Sequence, residues 1–176
     1  MCAVDSTTIR GDRLTRTPLP TREGATKRIG RYHLLHRLAA GGMGEVYLAR
    51  LEGPVGFEKL LVIKRLLAQN VDDFEFHEMF FTEAKLAAQL NHSNVVQTYE
   101  LGETEQGDYF IAMEFVRGQS MHQTLTRAAS LGEPMPPRLV VEAIAPACAG
   151  LEYAHTAEAL DGRALGVVHR DVSPSN

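Results

Sequence analysis

Three stretches of this 176-residue chain hold side chains that could do chemistry together: AAGGMGE at 39–45, LLVIK ending at Lys64, and a run with helical spacing that carries Glu83. A hairpin tip made of glycines can lay backbone N–H groups over a phosphate, because no side chain stands in the way. A dinucleotide-binding turn would need a helix straight after the glycines. Here EVYLAR alternates, with Val46 and Leu48 on one face, so a strand follows. Taken alone, the cluster fits a flexible turn as well as a phosphate lid. Lys64 and Glu83 sharpen the reading. Lys64 closes a β-branched apolar run and shares a strand face with Val62, while Glu83 shares a helix face with Met79, Leu86 and Leu90. That face should pack on the sheet, where an unpartnered carboxylate would cost roughly several kcal/mol or take up a proton. By chain order and strand-to-helix packing, Lys64 is the nearest cation. A buried pair gains little net stability, since desolvation offsets the attraction. Its presence makes more sense as a way to aim an ammonium at a ligand; a solvated Glu83 at the helix border is the alternative.

The elements that must position these groups follow from pattern. YHLLHRLA, VYLAR and LLVIKRLL read as strands, the first two joined at the glycines and the third following the turn-rich GPVGFE, which makes an antiparallel meander. Asp72 and Glu75 form a capping pair for the helix carrying Glu83. SNVVQTYELG and DYFIAMEFV read as two further strands around ETEQGD. Beyond Gly118 the pattern turns helical: QSMHQTLTRAAS, a Pro-rich break at 134–137, then a longer helix from about Arg138 to His155 with Val141, Ile144, Cys148, Leu151 and His155 on one face. A hairpin around Asp161 and Gly162 delivers LGVV, a strand, to the loop HRDVSPSN.

Composition narrows the class. With 44% apolar residues the chain is globular, and a net charge of −4 gives no sign of a nucleic-acid binder. No window has the length of a membrane span, and the first residues lack the apolar centre of a secretion signal. Cys2 and Cys148 lie far apart and read as lone thiols, which suits the reducing cytoplasm. Residues 1–28 carry six basic and three acidic groups, a charge of +3 against −7 for the remainder, and read as a mobile, disordered basic tail.

In ordered motifs the chain resembles the bacterial serine/threonine protein kinases, and in GPVGFEKLLVIKRL and HRDVSPSN their myxobacterial-type branch. AAGGMGEVYLAR resembles the glycine-rich loop and LVIK the strand with the invariant lysine. FTEAKLAAQLNHSNVV is similar to the regulatory helix and the strand after it, MEFVRG to the hinge, and GLEYAH with VVHRDVSPSN to the long helix and catalytic loop. The resemblance implies an α+β fold: a small lobe over 29–116, with a five-stranded antiparallel sheet and one helix, then the start of a helical large lobe over 117–176. It also implies ATP and Mg²⁺ as cofactors and protein Ser/Thr hydroxyls as acceptors. On this resemblance Leu38, Val46 and Val62 pack on the adenine, and Gly41, Gly42, Met43 and Gly44 cover the phosphates. Lys64, oriented by Glu83, holds the α- and β-phosphates. Met113 is the gatekeeper, main-chain groups of Glu114 and Val116 bond the adenine edge, Asp171 takes or positions the hydroxyl proton, and Asn176 binds one Mg²⁺.

Some positions depart from the family pattern. Ala39 stands at the first loop glycine, Val62 at an alanine, and Ser173 at a lysine that contacts the γ-phosphate; Pro174 still favours Ser/Thr over Tyr. Pro146 should kink the long helix, at a cost of roughly 3 kcal/mol if unrelieved. His92, His155 and His169 share no metal-ligand spacing and read as structural. The sequence reaches Asn176 without a DFG aspartate, so the chain is expected to be a kinase fragment without useful phosphotransfer alone. An apolar stripe on the long helix should then lie open to a partner protein. A kinase-derived binding module without chemistry is the alternative.

Overall fold

The computed structural model describes residues 27–41, 44–66, 74–104 and 107–175, with the side chains of 74–76 excluded. The 1–26 portion of the basic tail, Gly42, Met43, Asp72, the Glu75 side chain and Asn176 lie outside the described residues. Six strands pair antiparallel: β1 (Arg28–Ile29), β2 (Tyr32–Gly41), β3 (Gly44–Glu52), β4 (Glu58–Arg65), β5 (Thr98–Glu103) and β6 (Tyr109–Glu114), in the order β1-β2-β3-β4-β6-β5. Among the described residues three α-helices accompany them: α1 (Phe74–Gln89), α2 (Met121–Ser130) and α3 (Pro137–Thr156).

The meander forms where alternation demands it, and the sheet has one strand more than the five expected. The addition is a two-residue pairing of Arg28 and Ile29 with His33 and Tyr32, turned by Gly30 at φ 50°. Arg28, read as part of the tail, is thus in the sheet. The sheet curls until its two edges meet. Tyr32 of β2 donates its hydroxyl hydrogen to the Glu100 carboxylate of β5, and Arg31 bonds the same oxygen at 2.6 Å. Inside the curl Tyr32, Leu34, Ala49, Leu61, Ile63, Phe110 and Ala112 make the main core. Their two-residue spacing along each strand sends Val62 and Lys64 to the opposite face.

Helix α1 covers that opposite face through Phe80 and Ala84, which pack with Leu66 and Ile111. Met79, expected on the packing face, is instead exposed. Both Met79–Glu83–Leu86 and Phe80–Glu83–Ala84 satisfy helical spacing, and the larger aromatic side chain takes the interior. The expected strand SNVVQTYELG is shorter than read: strand begins only at Thr98, and Val95 before it packs on α3. There Leu90, Ala154 and Ala157 form a third cluster, and Gly150 lies so close that a Cβ would stand 2.8 Å from the Asn94 carbonyl oxygen.

Ser120 and Gln123 cap α2 reciprocally, side chain to backbone N–H, at 3.2 and 3.0 Å. Helix α3 runs through Pro146 as a single element, close to the expected span. Its Val141 and Ile144 are exposed, as the apolar stripe implied. The hairpin at Asp161–Gly162 closes with only one bridge, Glu158 to Ala164, and LGVV forms no strand. An extended run makes a ladder only where a neighbour supplies its hydrogen bonds, and none of the described strands flanks this segment. Among the described residues no helix is long and apolar enough to cross a membrane.

Candidate active site

Strand β4 positions Lys64 by register: it lies opposite Val46 on β3 and opposite Ile111 on β6, with Ile63 turned into the core. The ammonium therefore emerges on the face that α1 covers. Its Nζ donates to both carboxylate oxygens of Glu83, at 3.1 and 2.9 Å. The Lys64 side chain is only 4% exposed and that of Glu83 31% exposed, so the pair sits at the edge of the core. Burial opposes the charge on Glu83, while the Lys64 ammonium favours it through attraction and hydrogen bonding; the balance holds the carboxyl below its ordinary range. The charged pair inferred from burial arithmetic is present.

The other residues of the small-lobe prediction fall at separate places in the sheet and just beyond it. Gly41 and Gly44 face each other across the hairpin tip, between β2 and β3. Gly44 has φ 137°, and a Cβ there would lie 2.1 Å from the Arg65 carbonyl oxygen, so only glycine lets the tip settle against β4. Leu38 falls in a register shift between Arg37 and Ala39, a bulge that re-aims the strand, and is largely exposed. Val46 and Val62 are half-buried, and Met113, paired with Val62, packs against the α1–β6 cluster. The Glu114 N–H is already committed to the Gln97 carbonyl at 2.8 Å; Val116 beyond it is exposed. Gly42, Met43 and Asn176 lie outside the described residues.

The loop after α3 is organised by its own histidine. The Asp171 N–H donates to His169 Nδ1 at 3.2 Å, while Arg170 between them adopts φ 64°. Accepting at Nδ1 requires the neutral ring. Burial lowers the His169 pKa, and the nearby Asp171 carboxylate opposes that shift without reversing it. The Pro174 carbonyl accepts the His122 N–H of α2 at 2.7 Å, which pins the loop to the helical part of the chain. Asp171 is exposed there. His92 has a similar structural role, accepting the Asn94 N–H at Nδ1 and stacking on Tyr153.

Two features escaped sequence reasoning. Arg65 pairs with Asp108 at 2.5 Å; Asp108 is buried, and the pair ties β4 to the start of β6. Neither residue belongs to a recognisable spacing. Phe80 was missed as an interior residue, although its position three residues before Glu83 was a readable signal.

Comparison with known proteins places this arrangement. The family model described as protein kinase domain matches residues 32–176. The chain belongs to the protein kinase family. Among curated proteins it is 45% identical over 147 residues to tyrosine-protein kinase MasK of Myxococcus xanthus, covering 84% of this chain and 23% of that protein. It is 36% identical to serine/threonine-protein kinase pkn3 of Myxococcus xanthus, covering 83% of this chain and 24% of the other. Identity to serine/threonine-protein kinase PknB of Mycobacterium leprae is also 36%, covering 83% and 22%. The chain thus spans about a quarter of the length of these curated relatives. A crystal structure of the M. tuberculosis PknI kinase domain superposes with a TM-score of 0.65 at 28% identity, covering 88% of this chain and 56% of that one. Protein kinases as a class use ATP with Mg²⁺ and act on protein substrates, and the curled sheet with its helices is their small lobe joined to part of the large lobe.

Proposed function

We propose that this chain is the ATP-binding part of a cytoplasmic serine/threonine protein kinase, with the catalytic aspartate at Asp171. The observation that carries the reading is the buried Lys64 ammonium held by Glu83 at 2.9 Å, on the sheet face that also bears Val46 and Val62. An ammonium so held is ready to meet phosphate oxygens without reorganising first. Gly41, Gly42, Met43 and Gly44 would supply the tip that covers the phosphates, Leu38, Val46 and Val62 an apolar seat for a purine, and Met113 the back wall. Main-chain groups of Glu114 and Val116 would address the purine edge. Asn176 would take one Mg²⁺, whose chemistry is to neutralise charge on the transferring phosphoryl group. Asp171 would orient the acceptor hydroxyl.

The relatives' names divide between tyrosine and serine/threonine kinases. Pro174 supports the serine/threonine reading here. Titration with ATP–Mg²⁺ tests the site: the melting temperature should rise with ligand, and Lys64→Ala should weaken binding about tenfold or more, the worth of one charge-assisted hydrogen bond. A flat titration of the unaltered chain refutes the nucleotide site. Phosphotransfer by residues 1–176 alone should be negligible, and robust Asp171-dependent transfer would contradict that expectation. A second reading, a kinase-derived module that docks on a partner protein, draws support from the exposed Leu139, Val141 and Ile144 of α3. A thermal shift with a partner but none with ATP–Mg²⁺ would decide for it.

A further inference from the structure

Lys64 meets a second group on α1 besides the carboxylate. Its Nζ lies 5.6 Å from the centroid of the Phe80 ring, within reach of a cation–π contact. Phe80 precedes Glu83 by three residues, so one helical face presents both the ring and the carboxylate to the same ammonium. Phe80 is 4% exposed and wedged among Leu66, Ala84 and Ile111, with Phe81 edge-on at 6.1 Å. Packing of this kind leaves the ring little freedom. Glu83, by contrast, is about a third exposed. The contact between ring and ammonium is nearly free of solvent, which is where such contacts are strongest.

We propose that Phe80 is a positioning residue for Lys64: its π face, together with the Glu83 carboxylate, fixes where the ammonium stands between β4 and α1. The carboxylate supplies the attraction and the locked ring a fixed reference on the same rigid helix. Lys64 is thereby held by the ring as well as by the carboxylate. The consequence for nucleotide binding rests on the ATP-site reading above; the contact itself does not.

Because Phe80 also fills core volume, the test must alter the ring's charge distribution without altering its shape. Mono-, di- and trifluorinated phenylalanine introduced at position 80 of the full 176-residue chain does this, alongside Phe80→Tyr and Phe80→Leu. Urea unfolding is measured for each in the natural and Lys64→Met backgrounds, and the ¹H–¹⁵N signal of the Lys64 ammonium is followed in the natural background. Each added fluorine should lower the folded-to-unfolded ratio, by about tenfold in total with Lys64 present, and should change it little in Lys64→Met. The ammonium signal should lose its ring-induced shift in Phe80→Leu and keep it in Phe80→Tyr. Equal fluorine dependence in both backgrounds, or an ammonium signal indifferent to Phe80→Leu, would reduce Phe80 to a packing residue and overturn the proposal. ATP–Mg²⁺ affinity should fall roughly threefold to tenfold across the fluorinated series. Should the unaltered chain bind no ATP–Mg²⁺, the nucleotide reading fails, while unfolding and the ammonium signal still decide the contact.

Discussion

The face between β4 and α1 and the outer face of α3 are built from similar apolar residues and end in opposite states. At the first, strand register and helix spacing converge: Ile63 is fully buried on one side of β4, Lys64 on the other, and α1 closes over the ammonium. At the second, local periodicity makes a helix of 20 residues whose Leu139, Val141 and Ile144 remain at least half exposed. What separates them is the presence of a facing element. Hydrophobic burial needs two surfaces, and a helix supplies only one. The buried charge pair obeys the same logic, since Lys64 and Glu83 come from different elements and each is tolerated in the interior only because the other arrives.

Equal changes in the two regions should therefore have unequal effects. The largest contrast is expected for apolar truncation. Ile63→Ala should cost about 4 kcal/mol in urea unfolding, through lost burial and the cavity it leaves, whereas Ile144→Ala should stay within about 0.5 kcal/mol. A comparable loss at Ile144 would mean that α3 has a partner surface in solution, and the contrast drawn here would collapse.

Ion pairs come next. Glu83→Gln strips the charge from the partner of a buried ammonium and should cost about 2 kcal/mol, against about 0.3 kcal/mol for Glu142→Gln in the exposed Arg138–Glu142 pair at 2.7 Å. The pH profile sharpens the point. The Glu83 carboxyl is held below its ordinary range, so its contribution is complete above the unfolded carboxylate pKa and is lost as pH falls through the lower, folded value. Glu83→Gln should flatten that acid limb, while Glu142→Gln should leave it unchanged.

The smallest effect concerns closure of the sheet. Tyr32→Phe removes the hydroxyl that joins β2 to Glu100 on β5 but leaves the Arg31–Glu100 bond, so a loss of about 1 kcal/mol in urea unfolding is expected. Burial and the Glu100 carboxylate both raise the Tyr32 pKa, with Arg31 opposing, so the hydroxyl stays protonated and donates throughout the neutral range.

Much of the small lobe was legible because its signals are short-range. Alternation in LLVIK set the faces of β4, and the glycines marked the hairpin tip; the cap of α2 by Ser120 and Gln123 came only from the structure. Lys64 and Glu83 could be paired from sequence since Lys64 was the nearest cation, by chain order and packing, to a carboxylate that burial would not tolerate alone. Legibility failed where two local solutions were equal or where pairing was long-range. Met79 and Phe80 both suit a helix face, and only the shape of the sheet chose between them. LGVV has strand composition, but no described strand lies alongside it to complete a ladder.

By itself, then, the sequence pointed to the family through the resemblance of its ordered motifs, and determined the order of the elements and the two charged residues that belong together, because these last follow from spacing along one chain. The tertiary structure alone decided which rotation α1 takes, that Arg28 and Ile29 join the sheet, that Tyr32 reaches across to Glu100, and that a phenylalanine ring stands against the Lys64 ammonium. Those are distances between residues far apart in sequence, and packing settles them only when all the surfaces meet at once.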